Sequence, residues 1–458
     1  MPTLQDIPKI GVKLNMRNSR ISFWMENLSL PSHEPLRGDV KADFVIVGGG
    51  FAGLSTAFHI KKADPGSKAI VLEKEHIGFG ASGRNGGFSM TVFGASLSIT
   101  YMLHGESKTR EAYAYMVDAV EYLDSLVREY SLNVDYERTG FLRAATTSAY
   151  VKHIQREMEI AQKIGLEGIE WWNKEKIQEE VHSPVFLGGW WEPRCALVNP
   201  AKLSLELVRL ARGEGADIYE RSPVVSVEKI HGGVLVKTPQ ASIRASKVIF
   251  ATNAWTHLFP WVKRVQIPAW TYMVATEPLS PDQWEAIGWK RRMGIEDARN
   301  LIHYFRPSPD GRLLMGGGPV IVGFGRRMNK PKNPAVARHL KEFIEELFPQ
   351  LKDVRISHHW GGPFSVTLDL VPALGYWKDE RIIYNAGCIG HGVSLMPSNG
   401  RILADLALER KTELTDLWFV NRRIWPWPPE PIRLLLSFSI RTILQIEDWW
   451  RERKGLGR

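Results

Sequence analysis

Apolar positions along the chain switch between two periods, and the switches mark the elements. Phe44 to Val47 is an unbroken apolar run, the pattern of a strand buried on both faces. Phe51, Leu54, Ala57 and Phe58 then recur at helical spacing. Between them lie Gly48, Gly50 and Gly53, in the order Gly-x-Gly-x-x-Gly. A second apolar run, Ala69 to Leu72, ends in Glu73. Strand, glycine corner, helix and an acid about 20 residues on are the parts of a dinucleotide-binding unit. Gly48 permits the turn, Gly50 leaves room for a pyrophosphate, and Gly53 lets the helix approach the strand. The helix N-terminus then offers backbone N–H groups to phosphate.

The rest of the pattern is interleaved. Residues 1–42 read as a polar, extended arm, and residues 75–95 as a glycine-rich loop. Tyr113, Met116, Val117, Val120, Leu123 and Leu126 predict a core-facing helix over about 106–130. Short strands and a helix follow over 137–194. A helix is predicted over 201–213 after Asn199-Pro200, then strands near 216–219, 224–230, 233–238 and 242–244, and a buried strand at 247–253. Residues 266–354 are strand-rich up to a helix over about 334–348. Arg381 to Asn385 predicts a last buried strand, which enters the glycine-rich turn Gly387 to Ser394 and a helix over about 398–409. Nucleotide-type segments therefore recur with other material between them. Two domains share the chain in pieces: a nucleotide-binding one over 43–110, 195–262 and 356–412, and a second over 111–194 and 263–355. A tail occupies 413–458.

Composition narrows the class. At 458 residues and 44% hydrophobic, the chain is globular, with length for two or three domains. Two cysteines cannot build a disulfide framework, which fits a reducing compartment. The N-terminus lacks a basic-then-apolar leader, and no apolar run reaches membrane-spanning length, so a cytoplasmic protein is expected. No metal-ligand cluster and no nucleic-acid motif stands out. The net charge of +9 leaves an anionic membrane surface or an acidic partner open.

Ala81-Ser-Gly-Arg-Asn-Gly-Gly87 follows Glu73 closely, and Gly387-Cys-Ile-Gly-His-Gly closes the last nucleotide segment. With the first corner, with Leu36-Arg-Gly-Asp39, with Tyr304-Phe-Arg306 and Asp310-Gly-Arg312, and with Trp360-Gly-Gly, Thr367, Asp369 and Pro372, these segments carry a family pattern. Over roughly 20–412 the chain resembles the D-amino-acid-oxidase-like superfamily of FAD-dependent oxidoreductases, and within it the gamma-glutamylputrescine oxidase branch. The resemblance implies an α/β fold: a discontinuous Rossmann-like FAD-binding domain with an interleaved α+β substrate domain on a mixed or antiparallel sheet. It implies FAD, which this chain is expected to bind non-covalently, since neither cysteine falls where a covalent link is expected. Gly48, Gly50, Gly53 and Glu73 would hold the dinucleotide, with Ser82, Arg84, Asn85 and Gly86 beside pyrophosphate and ring. Val225 would lie near adenine, or be an ordinary strand valine. Gly390, Gly392, Val393 and Ser394 would bring N–H groups to the pyrimidine end.

The implied reaction is hydride transfer from an amine-bearing carbon to flavin N5, giving an imine that water hydrolyses, with oxygen as the acceptor. The substrate is a small-molecule amine or N-substituted amino compound. His391 would accept the ammonium proton, or be a backbone-bonded turn residue. Arg306 would pair with a substrate carboxylate, or lie in a buried ion pair with an acid such as Asp369. Tyr304, Trp270 and Tyr272 would line an apolar tunnel or pack in the core. Two family features are missing: the arginine that glycine oxidases carry near the Trp-Gly segment, and the oxygen-activating lysine of sarcosine-oxidase relatives, whose corresponding strand reads Arg312-Leu-Leu-Met-Gly316 here. In the tail, Leu435, Phe438, Ile446 and Trp449 separate by helical spacing from Arg433, Ser437, Arg441 and Gln445. That pattern suits a helix docked on the protein or a twin subunit, or one lying on the inner face of a membrane, where the electron acceptor would be a quinone. A binding or assembly protein on a flavin fold is the alternative of another class.

Overall fold

A computed structural model gives the fold and describes residues 21–26, 28–260, 262–324, 328 and 330–455. Two eight-stranded sheets organise them. The first is centred on Gly38–Val47, which pairs in parallel with Ala69–Leu72 on one side and Ala241–Phe250 on the other. Asp217–Tyr219 and Ile382–Ala386 extend it in parallel at its two sides. Parallel strands must be covered on both faces. Phe44 and Ile46 accordingly join the core under helices Phe51–Ala63, Pro200–Gly213 and Gly392–Ala407. Val45 and Val47 join the opposite core with Val234, Val236 and Ile243. The first and last helices cross closely: Ser55 Oγ donates to the Pro397 carbonyl at 2.7 Å, and a Cβ on Gly400 would lie 2.4 Å from that hydroxyl.

The second sheet runs in the order Ile356–Val366, Ile267–Thr276, Leu313–Val322, His303–Pro307, Gly294–Asp297, Phe141–Ala145, Gly188–Glu192 and Glu170–Asn173. Its neighbours are antiparallel except Gly294–Asp297 beside Phe141–Ala145. One face, including Leu142, Trp270, Tyr272, Ile295 and Phe305, packs on helix Pro334–Leu347. The alternate residues face the first domain. The architecture is the mixed α/β one expected.

Several boundaries differ. Residues 1–20 and 27 of the expected arm lie outside the described residues. Its described end is already strand from Gly38, and Trp24 and Met25 are buried in a short turn. The helix expected from 106 starts at Leu97, bends at Gly105 (φ 78°) and runs through the boundary drawn at 110. Ser96 Oγ, accepting from Ile99 N, starts it, a cap outside the periodic stripe. The helix expected from 398 starts at Gly392, so Pro397 is interior to it and not in its first turn. Strand Ile356–Val366, assigned above to the nucleotide-binding pieces, pairs along its length with Ile267–Thr276 in the second sheet.

Candidate active site

The first glycine corner is closed by backbone. Gly48 sits at φ 117°, where a side chain would be strained and its Cβ would lie 2.6 Å from the Ala251 carbonyl oxygen. A Cβ on Gly53 would fall 2.0 Å from the Gly48 oxygen. Helix Phe51–Ala63 begins at Gly50 without a capping side chain of its own. Ser82 Oγ supplies an acceptor from across the corner, 3.1 Å from Phe51 N. Glu73 accepts from Gly49 N at 2.8 Å and from Glu75 N at 2.9 Å, one donor per carboxylate oxygen. Each oxygen keeps a lone pair for a hydroxyl. Burial raises the Glu73 carboxyl above the usual range.

The loop after Ser82 is held by its own polar groups. Asn85 Nδ2 donates to the carbonyls of Ala81 and Ser82, and its Oδ1 accepts from Gly87 N at 2.8 Å. Arg84 lies over the Phe79 ring and donates to the Phe79 and Gly361 carbonyls, which ties the loop to the second sheet. Burial lowers its pKa to about 10. Arg306 is fully buried beneath this loop. It donates to the carbonyls of Val198, at 2.8 Å, and Gly86, at 3.3 Å, and lies over the Trp24 ring. Neither role expected for it appears: it does not line the cavity, and Asp369 pairs with Arg422 instead. Arg306 Nε and Nη1 are taken up by carbonyls that the folded chain brings within reach, those of Pro307, Gly86 and Val198.

The second corner faces the first. Gly390, His391, Gly392 and Val393 line the same cavity as Gly48, Gly50, Glu73, Ser82, Arg84, Asn85, Gly86 and Val225. Gly53 and Ser394 do not line it. Gly53 packs inside the first corner, and Ser394 Oγ donates to the Met90 carbonyl at 2.8 Å. His391 N donates to the Cys388 carbonyl, as a turn residue does. Burial lowers its imidazole pKa to about 4, so the ring is neutral at pH 7 and a weak base for the proton-accepting role expected there.

The cavity measures about 920 Å³, at the upper end for small-molecule sites. It runs from the first corner to the second sheet. Register puts Tyr304, Glu296, Arg143 and Trp190 in one cross-strand row on its floor. Tyr304 meets Phe88 edge-on at 5.7 Å, and burial raises its hydroxyl pKa to about 12. Trp270 and Tyr272 point to the other face and belong to the core, while Thr271 and Met273 face the cavity. The floor's charged residues, Arg143, Glu192 and Glu296, with Glu157 from helix Ser148–Lys163, were missed. A charged residue inside an otherwise apolar short strand, as in Phe141-Leu-Arg-Ala-Ala145, was the available signal.

A family model described as FAD dependent oxidoreductase matches residues 43–406. The chain belongs to the DAO family of FAD-dependent oxidoreductases. It is 31% identical over 397 residues to the gamma-glutamylputrescine oxidoreductase of Escherichia coli, covering 86% of this chain and 90% of that one. It is 30% identical over 379 residues to the probable oxidoreductase OrdL of Haemophilus influenzae, covering 82% and 84%. Among solved structures, glycine oxidase from Geobacillus kaustophilus superposes with a TM-score of 0.70 at 21% identity, covering 84% of this chain and all of that one. The site fits the family's cofactor. A helix N-terminus without its own cap suits a pyrophosphate, a buried carboxylate with spare lone pairs suits a ribose, and a second glycine corner closes the far side.

Proposed function

We propose that this DAO-family enzyme oxidises an amine or N-substituted amino compound at the carbon bearing nitrogen, giving an imine that water hydrolyses, with oxygen as the final acceptor. FAD, when bound without a covalent link, supplies the hydride acceptor. The N-terminus of helix Phe51–Ala63 and Ser82 would hold the pyrophosphate, Glu73 the ribose, and Val225 would pack by the adenine. The turn Gly390–Val393 offers N–H groups at the opposite end. Asn85 and Arg306 keep the loop 82–87 in shape, Arg306 as a positioning residue. Tyr304 closes the substrate side against Phe88 and excludes water. The observation that carries the reading is the single cavity joining both glycine corners to Tyr304. The likeness to a gamma-glutamylputrescine oxidoreductase over most of the chain supports an amine substrate. Burial keeps the Cys195 thiol protonated, in line with non-covalent FAD. The test is anaerobic mixing of the yellow protein with polyamines, their gamma-glutamyl forms and N-methyl amino acids. Bleaching by members of this panel is expected; no bleaching by any of them refutes the reading.

A second reading adds a membrane surface and a quinone acceptor, and one observation favours it. Helix Ile432–Gly455 turns its polar side inward: Asp448 accepts from Asn300 N and Leu301 N, and Glu452 pairs with Arg299. Its apolar side faces out. Ile432, Leu435, Phe438, Ile443, Ile446, Trp449 and Trp450 are each half or more exposed. Arg441 and Arg453 lie over the Phe438 and Trp449 rings at its rim. Cations flanking aromatic and aliphatic side chains complement an anionic lipid surface. No described helix is long and apolar enough to cross a membrane. Co-sedimentation with phosphatidylglycerol vesicles, but not phosphatidylcholine ones, is expected, and Ile446→Glu should abolish it. A protein that ignores both vesicles and dimerises through this face would refute the membrane contact.

A further inference from the structure

The last helix is also a wall of the cavity. Ile432–Gly455 lies outside residues 43–406, the span of the family match, yet one stripe of it faces inward. Leu434, Ser437, Phe438, Arg441, Leu444 and Glu447 line the same cavity as Tyr304. Most arginines at that cavity are already satisfied. Arg143 pairs with Glu157, Arg299 with Asp297 and Glu452, and Arg84 donates to the carbonyls of Phe79 and Gly361. Arg451 keeps one buried N–H without a partner, at Nη1, but its charge is paired with Glu447. Arg441 differs. Its Nε is buried without a hydrogen-bond partner, and no carboxylate pairs with it among the described residues. Its Nη1 reaches the Val320 carbonyl at 3.5 Å, the far limit of a hydrogen bond, and the guanidinium lies 4.9 Å over the Phe438 ring. A buried guanidinium N–H without an acceptor is costly unless a ligand supplies one.

We propose that Arg441 receives a carboxylate at the outer end of the substrate, so that the tail helix selects amines carrying an anionic group remote from the oxidised carbon. This rests on the proposed amine oxidation and adds how its substrate is chosen. The planar fork of a guanidinium matches a carboxylate, and pairing it would supply both the missing acceptor and the missing charge. The strand beside Arg441 sets the spacing. Val320 lies four residues beyond Gly316, the residue that pairs with Tyr304, which is at most about 14 Å along the strand. Leu434, Phe438 and Leu444 offer apolar surface to an alkyl linker over that span. A lipid phosphate is an anion too, but the burial of Arg441 Nε favours a ligand inside the cavity over one on the helix's outer face.

The test uses the FAD-loaded protein and calorimetry with two probes that carry no amine to oxidise. Hexanoate has the alkyl chain and the carboxylate; hexanamide has the same shape without the charge. The wild-type protein should bind hexanoate at least tenfold more tightly than hexanamide. Arg441→Gln should weaken hexanoate about tenfold, as expected for loss of a charge-assisted contact, and leave hexanamide within twofold. Arg441→Lys keeps the charge without the fork and should fall between the two. Should Arg441→Gln undock the helix, seen as faster exchange of its amides, Arg441→Met takes its place. Equal binding of the two probes by the wild type, or hexanoate affinity within twofold in the neutral variant, overturns the inference. Loss of co-sedimentation with phosphatidylglycerol vesicles in that variant, with hexanoate affinity kept, assigns the guanidinium to lipid and overturns it too. A protein bleached by amines without a preference for hexanoate fails this inference alone. One that prefers hexanoate through Arg441 but is bleached by no amine fails the oxidation reading alone.

Discussion

Asp448→Ala tests how the C-terminal helix is held over the cavity mouth. Asp448 is buried and accepts from Asn300 N at 2.8 Å, Leu301 N at 3.1 Å and the Tyr150 hydroxyl at 3.3 Å. Hydrogen bonds to a charged acceptor are worth ~1.5–3 kcal/mol each. Burial raises the Asp448 carboxyl pKa, so desolvation offsets part of this gain. The two backbone contacts then come to about 3 kcal/mol, roughly a hundredfold in the ratio of docked to undocked helix. Native-state hydrogen exchange reads this directly. Amides within Ile432–Gly455 should exchange about a hundredfold faster in the variant, because the opening is local. Amides of Val45 to Val47, in the central strand of the first sheet, should not change. Acceleration below about threefold in the tail helix would refute the reasoning and shift the burden to the Arg299–Glu452 pair.

Two further expectations concern the first corner and the cavity floor. Gly53→Ala places a Cβ 2.0 Å from backbone that has no room to move; it should cost about 1–3 kcal/mol and leave purified protein poor in flavin, read from thermal unfolding and visible absorbance. Glu296 has a folded-state pKa raised to about 7, so the folded protein holds its proton more tightly than the unfolded chain. Burial is the main cause; Arg143 opposes the rise, Asp297 and Glu157 add to it, and Tyr304 lies beside Glu296 on the next strand. The stability this confers is fully present near pH 4.5 and is lost as pH rises through 7. Denaturant midpoints should therefore fall between pH 5 and 7 in the ligand-free protein, and Glu296→Gln should flatten that slope; an unchanged slope would contradict the assignment.

The sequence by itself determined the parts that a short stretch of backbone specifies. Gly48, Gly50 and Gly53 lie within one turn of strand-to-helix geometry, and Phe44 to Val47 carries its burial in its own composition. The second corner at Gly387–Val393 and the loop at Ser82–Gly87 were short contiguous segments too, and it was the family resemblance that marked them as cofactor-binding. The floor was not legible. Tyr304, Glu296, Arg143 and Trp190 come from four strands, and only their register brings them to one row and one face. Arg306 and Tyr304, two residues apart, share a strand face, yet the carbonyls of Val198 and Gly86 take Arg306 out of the cavity. In the tail, helical spacing separated the apolar and polar sides, but not which side would be buried. That was decided by Asn300, Leu301 and Arg299, which lie about 150 residues away and give Asp448 and Glu452 partners that water would otherwise replace.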